Sequence, residues 1–120
     1  MPDQPGQRKR RWRQFRTASG HEPVREFLFQ LSAADRAEIA VAMKEVEDEG
    51  LIAARHLRGE LYEVRADGQT QNFRILFAPE GQHGQIFLAL EGFSKKSQKT
   101  PQHEIDLALR RLADWRSRGR

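Results

Sequence analysis

Six cations between positions 58 and 99 could do chemistry together: Arg58, Arg65, Arg74, Lys95, Lys96 and Lys99. The three lysines stand in "EGFSKKSQKTP" (91–101), between an apolar run and a proline. Like charges this close repel one another, so the cluster is costly unless solvent or a polyanion offsets it. Pro101 suits the first position of a helix, and Thr100 can cap it. A helix start at that point offers unpaired N–H groups and a positive dipole end to an anion. Lysines beside a helix N-terminus, with Arg65 and Arg74 on neighbouring strands, would make a phosphate cradle. Taken singly, each of these residues also reads as an ordinary solvated cation. Two further residues lie close enough in sequence to join the set. His56 sits beside Arg55 and Arg58 in "RHLRGELYEVR", and Tyr62, the chain's only tyrosine, could stack on a base.

Other chemistries find little support. The chain has no cysteine, so disulfides and Cys-based metal sites are excluded. His21, His56, His83 and His103 show no metal-ligand spacing, and no metal or other cofactor is expected. No Gly-rich phosphate loop, G-x-S-x-G elbow or H-E-x-x-H motif occurs. Glu60 and Glu63 flank Leu61 and Tyr62, but nothing marks them as an acid–base pair.

The elements that must position the cations are legible from periodicity. "HEPVREFLFQL" predicts a helix with Pro23 in its first turn and Val24, Phe27, Leu28 and Leu31 as its apolar stripe. "SAADRAEIAVAMKEVEDEG" predicts a second, capped by Ser32 with Asp35 three residues on, striped by Ile39, Met43 and Val46, and stopped by Gly50. The short link at Leu31–Ser32 makes the pair a helical hairpin. Beyond Gly50 the period changes to that of strands, near 60–66, 71–78 and 85–93. Asp67-Gly68 marks one hairpin turn, and "PEGQHG" (79–84) another, with Pro79 ending the strand before it. Phe73, Ile75 and Phe77 form a core face, and the other face, expected to be open, carries Arg74. "WRQFRTA" is read as a first strand and "TPQHEIDLALRRLADWRSRGR" as a closing helix with Ile105, Ala108, Leu109 and Leu112 inward. The expected fold is α+β, in the order β-α-α-β-β-β-α, with helices on one face of a small antiparallel sheet. Residues 10–116 would form a single domain, between a disordered basic tail at 1–9 and a basic C-terminal tail at 117–120.

Charge narrows the partner. The net charge is +4 and the isoelectric point about 10.0. "RKRRWRQFR" (8–16) and "RRLADWRSRGR" (110–120) are both basic with aromatics interleaved, and "EVEDEG" (45–50) is acidic. Separated positive charge of this kind points to a polyanion, with nucleic acid as the default. No apolar run approaches the roughly 18 residues of a membrane span, and the basic N-terminus lacks the apolar stretch of a secretory signal. The expectation is a cytoplasmic protein without membrane contact.

The motifs Leu-Tyr-Glu-x-Arg (61–65), Phe-Arg-Ile (73–75), Gly-Phe (92–93), the Lys95–Lys96 pair and Lys-Thr-Pro (99–101) before an acidic-led helix occur in order. This pattern resembles the HigB-type, phage-derived branch of the RelE/ParE toxin superfamily. The resemblance covers about residues 10–113 and is densest in 57–108. It implies two N-terminal helices against a small antiparallel sheet, with a C-terminal helix. It also implies the toxin of a type II toxin–antitoxin module: a ribosome-dependent mRNA endonuclease neutralised by a cognate antitoxin, itself a small helix-turn-helix protein. The implied chemistry needs no metal. The RNA 2′-OH attacks the adjacent phosphate, a base takes its proton, an acid protonates the leaving oxygen, and cations stabilise the charge on phosphorus. By this resemblance Arg65 and Arg74 correspond to the family's phosphate-binding sheet positions; with the cation set above, Arg65, Arg74, Lys95 and Lys96 would be catalytic, and Arg58, Lys99, His56 and Tyr62 would hold RNA. Free lysine, with a pKa near 10.4, is too basic for a proton acceptor at neutral pH, but crowded cations lower it. The chain departs from better-known relatives in lacking a C-terminal Tyr or His pair, which leaves the acid and base open. Two other readings stay open: a ParE-like poison of DNA gyrase, since one fold serves both targets, and a non-catalytic phage-derived nucleic-acid binder.

Overall fold

A computed structural model describes residues 9–95 and 99–119. Among them, the order is β1 (Arg11–Gln14), α1 (Pro23–Phe29), α2 (Ala33–Glu49), a 3₁₀ turn (Leu51–Ala53), β2 (Arg55–Arg58), β3 (Leu61–Asp67), β4 (Asn72–Glu80), β5 (Ile86–Lys95) and α3 (Gln102–Ser117). The sheet order is β1-β5-β4-β3-β2. The α+β class and every expected element are present, with one strand more than expected. β2 was not foreseen because Leu57 is the only apolar side chain in "RHLR", and an edge strand needs little more. The sheet is also mixed rather than antiparallel, since β1 runs parallel to β5, with Arg11 opposite Ile86 and Gln14 opposite Ala89.

The helices take both faces of the sheet, not one. α1 and α2 cover Val64, Ala66, Phe73, Ile75, Phe77, Phe87 and Ala89, burying Val24, Ile39 and Val46. α3 covers the other face, packing Ala108, Leu112 and Trp115 on Leu61, Leu76, Ala78, Leu88 and Leu90. Strand alternation makes this possible: apolar residues occupy both faces of the central strands, so each face needs its own cover.

Local chemistry sets the helix ends. The Ser32 hydroxyl accepts the Asp35 N–H at 3.1 Å, a cap worth about 1 kcal/mol. Gly50 ends α2 at φ 88°, in the left-handed region where a side chain is strained. Arg10 seals that end by donating from Nε to the Glu47 carbonyl at 2.8 Å and from Nη2 to the Asp48 carbonyl at 2.5 Å, which suits a cation at a helix C-terminus. The acidic residues Glu45, Asp48 and Glu49 stay exposed on α2. α1 lies directly on β5: a Cβ at Gly92 would sit 2.6 Å from Phe27 Cδ2, so only glycine allows this approach.

Two local expectations are corrected. Pro79 does not end β4, which continues to Glu80 opposite Ile86. Pairing with β3 has already stopped at Phe77, and a proline is tolerated where its nitrogen faces a side without a neighbour. Nor does Thr100 cap α3. Pro101 is the cap residue and the helix begins at Gln102, because the Thr100 hydroxyl is engaged elsewhere, as described below. At the C-terminus Ser117 closes α3, and Arg118 bonds Asp114 and donates to the Arg16 carbonyl. The expected N-terminal tail lies outside the described residues except for Lys9. No helix among the described residues is long and apolar enough to cross a membrane.

Candidate active site

The antiparallel register builds the site in rows across the α3 face. Arg65 on β3 stands directly opposite Arg74 on β4, and Arg74 opposite Phe93 on β5. One row along, Asp67, Asn72 and Lys95 are aligned. In the other direction Arg55 pairs with Glu63, Glu63 with Leu76, and Leu76 with Glu91. Arg65 and Arg74 are therefore brought together as expected, but the face is not open. Arg74 is 2% exposed.

Two guanidinium groups this close need a counter-charge, and Glu63 supplies it. Its carboxylate is buried, accepting from Arg65 Nε at 2.7 Å and from the Thr100 hydroxyl at 2.5 Å, with Arg74 Nε 3.8 Å away. One acid thus ties β3, β4 and the start of α3. Burial, then the neighbouring Arg65, pulls the Arg74 pKa below its ordinary value, while Glu63 and Asp67 oppose the shift. Arginine stays charged under such perturbation.

A cleft of about 400 Å³ opens beside Arg65 and Thr100, lined also by Arg55, His56, Leu57, Lys99, Gln102 and Ile105. Arg65 is partly exposed, with 29% of its side chain accessible, so it can meet a ligand that Arg74 cannot touch. Lys99 is exposed on the approach to α3 and Lys95 is half-buried at the end of β5. Lys96 lies outside the described residues. The first turn of α3 borders the same cleft through Gln102. Three cations, a helix start and a buried guanidinium behind them suit an anion with several oxygens, such as an RNA phosphate.

Of the other expected residues, His56 joins the cleft, whereas Tyr62 and Arg58 do not line it. Tyr62 points to the α1/α2 face, its ring 5.9 Å from Phe77. His56 is drawn toward it, with the rings 5.1 Å apart. The His56 Nε2–H donates to the Gly59 carbonyl at 2.7 Å, and His56 lines the cleft beside Arg55. Arg58 reaches toward Asp106 on α3, 3.8 Å away. Sequence reading passed over Glu63, Arg55 and the role of Thr100. A signal for Glu63 existed: it lies two residues before Arg65 on the same strand face, where a carboxylate can reach the guanidinium. No group of His, Cys, Asp and Glu able to hold a metal ion occurs among the described residues.

A family model described as phage derived protein Gp49-like matches residues 26–113. The chain belongs to this Gp49-like family. Two relatives from two strains of Mycobacterium tuberculosis, each named "Probable endoribonuclease HigB1", are 34% identical over 108 residues, covering 88% of this chain and 84% of theirs. The HigB-type resemblance read from the motifs therefore holds. The Gp49-like match spans α1 to the body of α3 and contains Arg55, Glu63, Arg65, Arg74 and the 95–101 segment; β1 lies outside it.

In this Gp49-like protein the first turn of α3 carries a titratable latch. Glu104 is pushed up to about 7, first by burial and then by sharing a hydrogen bond with Glu91, while Arg111 works the other way. Arg111 Nη1 donates to Glu91 at 2.9 Å and to the Leu90 carbonyl at 2.7 Å. A carboxyl whose folded pKa lies above its unfolded value of 4.5 stabilises the fold fully below pH 4.5 and loses that contribution as pH rises through about 7. The melting temperature is therefore expected to fall between about pH 4.5 and 7 and to level off above that, and Glu104→Gln should flatten that slope. Calorimetry across the pH range checks it; an unchanged slope in Glu104→Gln would exclude this latch.

Proposed function

We propose that this Gp49-like protein is the toxin of a type II toxin–antitoxin module, a metal-independent endoribonuclease that cuts mRNA at the ribosome and is held inactive by a cognate helix-turn-helix antitoxin. One observation carries the reading: the Arg65–Arg74 pair, braced on Glu63, at the head of a cleft bordered by Arg55 and Lys99. The naming of the mycobacterial relatives as probable endoribonucleases supports it.

The reaction suits a cationic cleft without metal. The 2′-oxygen of one nucleotide bonds to the adjacent phosphorus, and the bond from phosphorus to the next 5′-oxygen breaks. A base takes the 2′ proton and the leaving 5′-oxygen gains one, leaving a 2′,3′-cyclic phosphate and a 5′-hydroxyl. Arg65 contacts the phosphoryl oxygens as negative charge grows on them, and the buried charge of Arg74 reinforces it from behind. Arg55 and Lys99 hold the flanking backbone. Lys95 and Lys96 supply further positive charge to the phosphate as the proton transfers proceed.

The test is incubation of purified protein with mRNA under translation conditions, with and without ribosomes, EDTA and co-purified antitoxin. Expected are fragments with 5′-hydroxyl and cyclic-phosphate ends, formed only with ribosomes, unaffected by EDTA and suppressed by antitoxin. Intact mRNA together with gyrase-dependent DNA breaks would replace this reading by the gyrase one.

A further inference from the structure

We propose that the two basic ends of the chain fold into a second RNA-backbone site, at the far end of α3 from the cleft. This rests on the ribonuclease reading and adds to it a surface that holds the RNA away from the cut. The basic segments 8–16 and 110–120 are about a hundred residues apart in sequence, yet meet where the parallel strand β1 lies beside α3. Arg118 Nη2 donates to the Arg16 carbonyl at 2.5 Å, and the Arg13 guanidinium lies 5.0 Å from the Trp115 ring centroid. Arg25, on α1, joins Arg13, Arg16 and Arg118 around a second cleft of about 400 Å³.

Several features suit this cleft to RNA backbone. The guanidinium groups are pre-positioned: Arg118 by Asp114 at 3.0 Å, Arg16 by Glu22 at 3.1 Å, and Arg13 by the Trp115 indole. Ordering them in advance lowers the entropic cost of binding. Four arginines face two carboxylates, so excess positive charge remains, and planar guanidinium forks match phosphate oxygens. Arg13, Arg16 and Arg25 are exposed.

Position gives the site its use. α3 has 16 residues, so its ends lie about 24 Å apart at about 1.5 Å per residue. Gln102 at its start borders the first cleft and Trp115 near its end borders the second. Arg110 is exposed between them. An RNA strand lying along α3 would therefore be gripped at one end and cut at the other.

The experiment measures binding of an uncleavable, fully 2′-O-methylated RNA of about 20 nucleotides across a salt series, by fluorescence anisotropy. The proteins compared are the parent, Arg13→Gln/Arg25→Gln and Arg13→Lys/Arg25→Lys, each checked for an unchanged melting curve. Two lost phosphate contacts should weaken binding and lower the slope of log K against log salt by about 1.4, at about 0.7 per contact on a single strand. The lysine pair should keep most of the slope. Affinity and slope unchanged in the glutamine variant overturn the proposal, as does a parent that binds an acidic peptide in place of RNA. Because this RNA is not cut, a failed cleavage assay with the slope change present removes the ribonuclease reading and leaves the surface standing. Cleavage with no slope change does the reverse.

Discussion

Arg65→Ala is expected to lower the cleavage rate about 10²–10³-fold, the usual loss when one donor to a developing oxyanion is removed. Arg65 is the guanidinium that lines the cleft and is partly exposed, so it can touch phosphate. The loss should fall on kcat more than on KM, because charge on the phosphoryl oxygens grows between ground and transition state. Arg65→Lys should recover part of the rate: it keeps the charge but loses the fork that meets Glu63 and phosphate at once. Single-turnover cleavage by the two variants is the measurement. A fully active Arg65→Ala would remove the cleft from the mechanism. Arg74→Ala is a poorer probe of the same question, because Arg74 is 2% exposed and its loss perturbs the fold as well as the charge.

Glu63→Ala is expected to cost about 3–5 kcal/mol, the usual penalty for leaving buried charge without its partner. The carboxylate faces Arg65, Arg74 and Thr100 and is itself 1% exposed. In a domain of this size the melting temperature should drop by about 10–20 °C. Adding Arg74→Met to Glu63→Ala should restore part of the loss, since the double variant removes the buried guanidinium together with the carboxylate. Thr100→Val should give a smaller effect, because only one hydrogen bond goes and the ion pairs remain. Thermal melts of the three variants test this. A Glu63→Ala protein that melts with the parent, or a double variant less stable than the single, would refute the brace.

The chain's local order determined its elements. Ser32 and Gly50 bound α2 as read, the Asp67-Gly68 turn joins β3 to β4, and Phe73, Ile75 and Phe77 lie on one core face. These follow from capping, turn chemistry and alternation, which act over a few residues. The motifs from Leu61 to Pro101 sufficed for the family resemblance, which the Gp49-like match bears out. Only the tertiary structure decided that α3 takes the face opposite α1 and α2, that β1 joins parallel to β5, and that "RHLR" is an edge strand. It also decided which polar residues are interior. Glu63 and Thr100 are 37 positions apart, and each alone looks like a solvated side chain; so does Tyr62 beside Glu63, although the two point to opposite faces. A carboxylate is kept in the interior only when its counter-charges arrive with it. Here they come from β4 and from the approach to α3, and no spacing along the chain encodes that meeting.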